Sequence, residues 1–145
     1  MVVRPYKSAC YCTNLRRSAN IISDFYDAAL KDAGLTIAQY HLLINLSRLG
    51  SANITHWAEY VGLERSTMVR NIKLLQSRDF VEISEGHGKV FTLSPEGKRV
   101  LDLAAPLWRK AQEQIEAVLG KEDTAAALRI SEKLQRLGRQ PEASA

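Results

Sequence analysis

Small or apolar side chains recur at alternating steps of three and four residues through the first part of the chain. The positions are Cys12, Leu15, Ala19, Ile22, Tyr26, Ala29 and Ala33. This spacing predicts one long helix whose apolar stripe faces a partner helix. Gly34 follows the last of these positions and is expected to end the helix.

Two shorter helices are predicted next. Thr36 supplies a capping hydroxyl for a helix that extends to about Arg48 and is apolar nearly all round, as a buried helix should be. The segment Ser51-Ala52-Asn53 is a capping cluster, and a short third helix is expected to run from there to Gly62. The second helix is therefore expected to lie in the core.

A fourth helix is predicted from Glu64 to Asp79, a segment without glycine or proline. Its apolar face carries Met68, Val69, Ile72 and Leu75. The opposite arc is polar and basic and consists of Ser66, Thr67, Arg70, Lys73 and Ser77, with Asn71 and Arg78 on its flank. Leu74 also falls on this arc. Such an arc is typical either of a solvated surface or of a nucleic-acid contact.

Period-two alternation in residues 80–84 and 90–93 predicts a β-hairpin, with the Gly-rich segment Glu85–Lys89 as its polar tip. The segment Ser94-Pro95-Glu96 then combines a capping hydroxyl, a proline at the first helical position and an acid near the positive end of the helix dipole. It predicts the start of another helix.

The last third of the chain keeps the three-four rhythm of a long helix. Its stripe is formed by Leu101, Ala104, Trp108, Ala111, Ile115 and Val118. Pro106 is expected to kink this helix and Gly120 to end it. A final helix is predicted from about Asp123 to Leu137, and residues 138–145 are expected to form a frayed tail. The predicted fold class is mainly α with a small β-hairpin wing.

Composition adds a size and a charge to this outline. A chain of 145 residues, 46% hydrophobic and 25% charged, is typical of a single globular domain. Lys and Arg number 20 against 16 Asp and Glu, which gives a net charge of +4 and is compatible with an anionic partner.

Cysteine usage and hydropathy bear on the compartment. Cys10 and Cys12 are too close together to close a loop, and two cysteines are too few for a secreted disulfide framework. The sequence has neither a run of ~18 apolar residues nor the apolar core of a signal peptide. We therefore expect a cytoplasmic protein without a membrane partner.

A short helix, a turn at Gly62, a helix with a basic arc and a hairpin follow one another in the order of a winged helix-turn-helix. Such a module places its second helix in the major groove of DNA and its wing against the backbone or minor groove. Arg70 can bond guanine and Asn71 adenine, whereas Ser66 and Thr67 can bond phosphate. The alternative is a winged-helix module that contacts proteins, with the basic arc merely solvated. A salt-titrated DNA-binding assay separates the two.

Long apolar stripes at both ends of the chain exceed what one small core can bury. A homodimer through the terminal helices would cover them and would relate two recognition helices by a two-fold axis. The alternative is a monomeric helical bundle.

Three segments resemble the MarR family of bacterial dimeric transcriptional regulators. Residues 63–73, LERSTMVRNIK, are similar to the family's R-[ST]-T-x-x-R-N-[LI] recognition helix. Residues 93–97, LSPEG, resemble its L-[TS]-x-x-G exit from the wing, and residues 104–112, AAPLWRKAQ, resemble the start of its dimer helix in one branch. The resemblance implies one domain over 1–145, with a DNA-binding winged helix at about 35–97 and dimerisation helices at 8–34 and 98–138.

The resemblance also implies a function. It indicates a DNA-binding regulator that acts as a dimeric repressor on a pseudo-palindromic operator. The DNA-binding candidates on the fourth helix are Arg65, Ser66, Thr67, Arg70, Asn71 and Lys73. At the wing the family usually has Asp-x-Arg, whereas this chain has Glu85-Gly86-His87. We therefore take His87 and Lys89 as the substitutes for the missing arginine.

The family's ligands tend to occupy a crevice between the dimer helices and the DNA-binding lobe, and phenolic or other aromatic compounds are one candidate class of inducer. Arg17 and His41 are candidates for lining that crevice. His41 lies inside an apolar helix, so the alternative is a hydrogen-bonded core histidine.

One branch of the family senses organic peroxides through a cysteine on the first helix, and Cys12 falls about where that cysteine lies. Arg16 and Arg17 are near enough in sequence to favour its thiolate, and Cys10 is a second candidate. The alternative is that Cys12 is an inert apolar residue of the stripe.

Motifs for catalysis or metal binding are missing from the sequence. It has no phosphate-cradling Gly loop, no H-E-x-x-H and no G-x-S-x-G, and its histidines are scattered at His41, His56 and His87. Cys-x-Cys without a nearby histidine or second cysteine pair does not make a zinc site. We expect no enzyme activity, no cofactor and no metal.

Overall fold

The structure is a computed structural model that describes residues 7–138. Its elements are α1 (Tyr11–Leu30), a short 3-10 helix (Lys31–Ala33), α2 (Ile37–Leu49), α3 (Ile54–Val61), α4 (Arg65–Ser77), β1 (Val81–Gly86), β2 (Gly88–Leu93) and α5 (Pro95–Gly138). The predicted class, mainly α with a β-hairpin wing, is confirmed. Most of the predicted tail, residues 139–145, lies outside the described residues.

Side-chain caps begin α2 and α3 where the sequence predicts them. The Thr36 hydroxyl accepts from the Gln39 N–H at 3.2 Å, and the Gln39 side-chain oxygen accepts from the Thr36 N–H at 3.1 Å. Asn53 Oδ1 accepts from the His56 N–H at 2.8 Å. Each cap satisfies donors that a helix start leaves without an intrahelical partner.

The hydrophobic core gathers residues from α2, α3, α4, the hairpin and the start of α5. Its fully buried members include Leu42, Leu43, Leu46, Trp57, Met68, Leu75, Phe91 and Val100. Helix α2 contributes buried residues to the core, as predicted, but it is not buried all round, since Ala38, His41, Ser47 and Arg48 are exposed. Burial of α2 and of one face of α4 leaves the polar arc of α4 as surface.

The hairpin is longer and its turn tighter than the sequence predicts. Pairing runs from Val81 opposite Leu93 to Gly86 opposite Gly88, so that His87 alone lies between the strands. The predicted five-residue tip over 85–89 is therefore wrong. Backbone pairing continues past the end of the apolar alternation, because Gly88 adopts a φ of 107°, which allows the tight reversal.

Helix α5 is interrupted at a glycine rather than at a proline. The backbone leaves helical values at Gly120, with φ 80° and ψ 168°, and not at Pro106. The expected break at Gly120 is confirmed, whereas the expected kink at Pro106 is not seen in its dihedral angles. Glycine adopts this conformation without a Cβ penalty, and a helix can pass a proline with the loss of one backbone hydrogen bond.

The described chain divides into two compact units between Trp108 and Arg109. In the first unit, Leu101 and Ala104 are buried in the core, and Trp108 stacks on Tyr40 with ring centroids 6.0 Å apart. The apolar rhythm predicts these three positions for a dimer stripe, but they pack within the chain instead. In the second unit, the exposed large apolar side chains are Val118, Leu119, Leu128, Ile130, Leu134 and Leu137.

None of the helices within residues 7–138 is long and apolar enough to cross a lipid bilayer.

Candidate nucleic-acid interface

Helices α3 and α4 are joined by a tight turn at Gly62. This residue takes the left-handed conformation, with φ 73°, and the Leu63 N–H donates to the Ala58 carbonyl at 2.9 Å. A side chain at Gly62 would be strained in this conformation, which explains why the sequence has glycine there. The turn sets the direction in which α4 leaves α3.

Trp57 anchors α3 to the core. Its side chain is fully buried, its indole N–H donates to the Leu42 carbonyl at 3.2 Å, and its ring lies 6.0 Å from that of Phe91 on β2. Because Trp57 contacts both α2 and the hairpin, it holds the helix-turn-helix and the wing in one arrangement.

Helix α4 separates an apolar face from an exposed basic stripe. Met68, Ile72 and Leu75 are buried, whereas Ser66, Arg70 and Lys73 are exposed. These three exposed positions are spaced four and three residues apart, so they lie along one line of the helix. The structure therefore brings Ser66, Arg70 and Lys73 together on the surface.

Thr67 and Asn71 occupy the flank of that stripe and are half-buried. The Asn71 amide nitrogen donates to the Thr67 carbonyl at 2.9 Å, one turn earlier on the same helix. One amide hydrogen of Asn71 is thereby engaged, and its second hydrogen and its oxygen are the atoms left for a base edge. Leu74, the apolar exception on the arc, is 55% exposed.

Arg65 begins α4 and reaches back to α3. Its Nη1 donates to the Thr55 hydroxyl at 3.0 Å. The sequence pattern does not identify Thr55 as a partner of Arg65, because a hydroxyl in the first turn of a short helix is too common a signal.

The wing carries His87 at its tip and Lys89 on β2, and both side chains are exposed. The strand register sets Lys89 opposite Glu85. No ion pair joins these two side chains, whereas Arg99 and Glu96 at the start of α5 do form one. The Arg99 guanidinium beside Glu96 lowers the pKa of that carboxyl.

Arg78, at the end of α4, has a structural role that the sequence did not reveal. Its guanidinium donates to the Gly34 carbonyl and lies over the Phe80 ring, 4.7 Å from the centroid. These contacts connect the end of α4 to the turn before α2 and to the start of the hairpin. The partners are 44 positions away and two positions away in the sequence, so only the fold brings them together.

A cavity of about 550 Å³ lies in the first unit, beside α2. It is lined by Ser23, Ile37, Ala38, Tyr40, His41, Ile44, Asn45, Arg48 and Trp108. His41 is exposed and lines this cavity, so the core-histidine alternative is wrong. Arg17, the other residue proposed for a ligand crevice, is not part of the lining in the described chain.

Asn45 organises the polar wall of this cavity. Its amide nitrogen donates to the His41 carbonyl at 2.8 Å and lies 3.2 Å from His41 Nδ1, while its oxygen accepts from Arg48 Nη1 at 3.3 Å. Asn45 itself is buried. The cavity thus combines aromatic walls, from Tyr40 and Trp108, with a cationic guanidinium.

Both cysteines lie exposed at the start of α1. Cys10 is the N-cap residue, and the backbone N–H and hydroxyl of Thr13 lower the pKa of its thiol. Arg16 Nη2 lies 3.6 Å from Cys12 Sγ, as the sequence predicts for a nearby cation. The interpretation of Cys12 as a buried apolar residue does not hold for this chain.

Across residues 7–138, no group of three or more His, Cys, Asp or Glu side chains is placed to hold a metal ion.

Comparisons with known proteins agree with this geometry. The MarR family model matches residues 35–87, which span α2, α3, α4 and β1 and end at the wing tip, His87. No curated protein matches the sequence.

Solved structures match nearly the whole chain. A structure of the transcriptional regulator MosR from M. tuberculosis is 31% identical, with a TM-score of 0.72, and the match covers 90% of this chain and 94% of MosR. A MosR complex with DNA is 27% identical, with a TM-score of 0.78, and the match covers 90% and 99% of the two chains. BpsR from Bordetella bronchiseptica, at 20% identity and a TM-score of 0.81, covers 92% and 99% and supports the fold alone.

Proposed function

Because this chain belongs to the MarR family of transcriptional regulators, we propose that it binds duplex DNA sequence-specifically as a homodimer and represses transcription until a small molecule releases it. The observation that carries the proposal is the exposed stripe of Ser66, Arg70 and Lys73 on a helix whose opposite face is buried. A rigidly held helix with a basic surface is what major-groove recognition requires.

Roles follow from the chemistry of each side chain. Arg70 extends into solvent from the middle of α4 and is suited to bidentate bonding of guanine. Ser66, near the start of the helix, and Lys73 are suited to phosphate. Thr67 and Asn71 lie on the flank, where Thr67 is suited to phosphate and Asn71 keeps one amide hydrogen and its oxygen for an adenine edge. This assignment separates the base readers, Arg70 and Asn71, from their positioning neighbours.

The wing contributes mainly electrostatic attraction. Lys89 supplies a positive charge on β2, and His87 occupies the tip, where the family's arginine is missing. We expect Lys89→Ala to weaken binding more than His87→Ala, because lysine brings a formal positive charge to the wing whereas histidine counts as formally neutral. A wing that merely projects into solvent would leave both variants with wild-type affinity.

A dimer is proposed because large apolar side chains are exposed on helices of both units. On α1 the exposed large side chains are Leu15, Ile21, Ile22 and Phe25, and in the second unit they extend from Val118 to Leu137. Large exposed apolar side chains that recur along a helix are typical of an association interface. A two-fold dimer would also present two α4 helices to a pseudo-palindromic operator, and the bound dimer would block transcription.

The cavity beside α2 is the proposed inducer site. Tyr40 and Trp108 offer aromatic surface. Arg48 offers a guanidinium that can pair with a carboxylate or donate a hydrogen bond to a phenol oxygen. An aromatic compound with an acidic group is therefore the proposed class of inducer. His41 is well placed to supply a further hydrogen bond.

A second candidate signal is an organic peroxide. Cys12 is exposed with the Arg16 guanidinium 3.6 Å from its sulfur, and the pKa of the Cys10 thiol is lowered. A thiolate would attack the peroxide, forming an S–O bond and releasing the alcohol, to give a sulfenic acid. A second thiol would then displace water from it and form a mixed disulfide. Loss of DNA binding on peroxide treatment that Cys12→Ser abolishes would support this signal.

The test of the main proposal is selection of bound duplexes from a random pool, followed by salt titration of the selected site. A regulator should enrich a pseudo-palindrome with half-sites about one helical turn apart and show a steep negative dependence of affinity on salt. A protein-interaction module would enrich no sequence and show little salt dependence.

A further inference from the structure

A small cavity of about 210 Å³ lies where α3, α4 and the wing meet. It is lined by Asn53, Ile54, Thr55, Arg65 and Lys89. Two of the five lining residues are cations, and none is acidic. Arg65 comes from the first turn of α4 and Lys89 from β2, so the cavity draws its charges from both halves of the winged helix-turn-helix.

Backbone pairing holds this cavity in shape. The Ala52 N–H donates to the Phe91 carbonyl at 3.1 Å, and the Phe91 N–H donates to the Ala52 carbonyl at 2.8 Å. Asn53 follows Ala52 directly, and Lys89 lies two residues before Phe91 on the same strand. The bridge therefore sets the start of α3 beside the basic position of the wing, independently of any ligand.

The side chains that line the cavity have more N–H donors than acceptors within the described part of the protein. Of the five N–H donors of the Arg65 guanidinium, one bonds to the Thr55 hydroxyl in the described part of the chain. That bond fixes the guanidinium against α3. Lys89 adds an ammonium with three donors. Asn53 caps α3, so the positive end of that helix dipole also lies at the cavity.

We propose that this cavity binds one phosphate of the DNA backbone, held jointly by Arg65 and Lys89. The inference rests on the proposed function and adds to it a binding site and a division of labour. Arg65 positions the protein on the backbone and does not read bases, whereas Arg70 reads them. A tetrahedral anion with several acceptor oxygens suits a fork of guanidinium donors together with a point charge.

Backbone phosphate is favoured over a free anion because of where the cavity lies. Its walls belong to α3, α4 and the wing, the three elements that contact DNA in a winged helix-turn-helix complex. A phosphate at their junction would be bound by Arg65 on α4 and by Lys89 on β2 at the same time. This contact would couple the wing to the recognition helix even though the tip lacks an arginine.

The experiment scans the selected operator with single neutral methylphosphonate linkages, one position at a time. For the wild type, the neutral linkage at the phosphate that the cavity holds in each half-site should weaken binding about ten-fold, beside the penalties at the phosphates that Ser66 and Lys73 contact. Arg65→Ala and Lys89→Ala should each bind the all-phosphate operator more weakly than the wild type does. In either variant, the neutral linkage at that same position should lower the affinity only slightly further. The phosphate is then assigned to the two side chains, because its charge matters for binding only when both are present.

Lys31→Ala is the matched control, since it removes one exposed positive charge from the short 3-10 helix outside α3, α4 and the hairpin. It should keep the wild-type pattern of penalties. Thr55→Val, which removes only the hydroxyl that orients Arg65, should reduce the penalty at the same linkage. Circular dichroism of each variant establishes that it is folded before its pattern is interpreted.

The outcomes separate the two proposals. If the wild type binds no duplex DNA, the proposed function fails and the phosphate site fails with it. If the wild type binds with a steep salt dependence but every linkage carries the same penalty in Arg65→Ala as in wild type, the phosphate site alone is overturned. Saturable binding of inorganic phosphate at matched ionic strength, without DNA and abolished by Arg65→Ala, would instead show a free-anion site.

Discussion

Ala52 and Phe91 pair through two reciprocal backbone hydrogen bonds, although they belong to a loop before α3 and to the second strand of the wing. The pairing makes the loop a short third partner of the hairpin. It is reinforced by the Phe91 ring, which is buried against Trp57 of α3. The wing is therefore fixed at its base to the helix-turn-helix, while its tip at His87 remains exposed.

The first prediction concerns Gly97, in the segment that resembles the family's exit from the wing. A Cβ at this position would lie 2.1 Å from the Phe80 carbonyl oxygen, a backbone atom that cannot move aside cheaply. We expect Gly97→Ala to lower the free energy of unfolding by about 1–3 kcal/mol, as overpacking does. Urea denaturation measures the change. Gly86→Ala, where a Cβ meets nothing within 4 Å, is the control; equal effects of the two variants would contradict the argument.

The second prediction separates base reading from phosphate contact on α4. Arg70→Ala should cost about 1–3 kcal/mol on the selected operator and relax its base preference, because a bidentate contact is lost. Lys73→Ala should weaken all sequences more evenly and reduce the salt slope by about 1. Fluorescence anisotropy with operator and scrambled duplexes gives both quantities. Wild-type binding by both variants would show that α4 is not the recognition helix.

The third prediction concerns the dimer. Leu134, 41% exposed on the last part of α5, should be covered in the assembly. Leu134→Asp should shift the protein to monomer, since an unpaired carboxylate would enter an apolar interface. Gln135→Asp adds the same carboxylate at the neighbouring exposed position and should leave the dimer intact. Sedimentation equilibrium decides; a folded wild-type monomer at micromolar concentration would refute the dimer.

The fourth prediction uses the lowered pKa of Cys10. The Thr13 backbone N–H and hydroxyl favour the thiolate, so alkylation of Cys10 should persist to lower pH than for an ordinary thiol. Thr13→Val removes the hydroxyl but keeps the N–H, and should move the pH midpoint part of the way back up. Iodoacetamide kinetics in a Cys12→Ser background follow this thiol alone. An unchanged midpoint in Thr13→Val would exclude the hydroxyl as a cause.

The fifth prediction concerns the cavity beside α2. Arg48→Gln should weaken the binding of an aromatic carboxylate such as salicylate, and should reduce its ability to release operator DNA, because the cation that pairs with the carboxylate is lost. Arg17→Gln removes the same charge from a residue outside the lining and is the control. Isothermal titration calorimetry measures the affinity. An equal loss in both variants would place the ligand elsewhere.

The local patterns of this sequence were sufficient to predict the order of its helices and its hairpin, but not the length of the strands. Apolar periodicity, the capping residues Thr36 and Asn53, and the glycines at 62 and 120 are signals that act within a few residues, and the structure follows them. The basic arc of α4 was also readable, since a helix with one apolar face must expose the other. The resemblance of residues 63–73 then indicated the family.

Only the tertiary structure decided which of the similar apolar stripes is buried and which residues distant in sequence come into contact. The stripe from Leu101 to Trp108 has the same rhythm as the apolar positions further along α5, yet it packs in the core, and His41 lines a cavity rather than the core. Periodicity defines a face but not the partner of that face. Arg65 meets Thr55, and Ala52 meets Phe91, across separations of ten and more residues, because chain folding and backbone hydrogen bonds bring them together. No local signal encodes these contacts, and the proposed phosphate site depends on them.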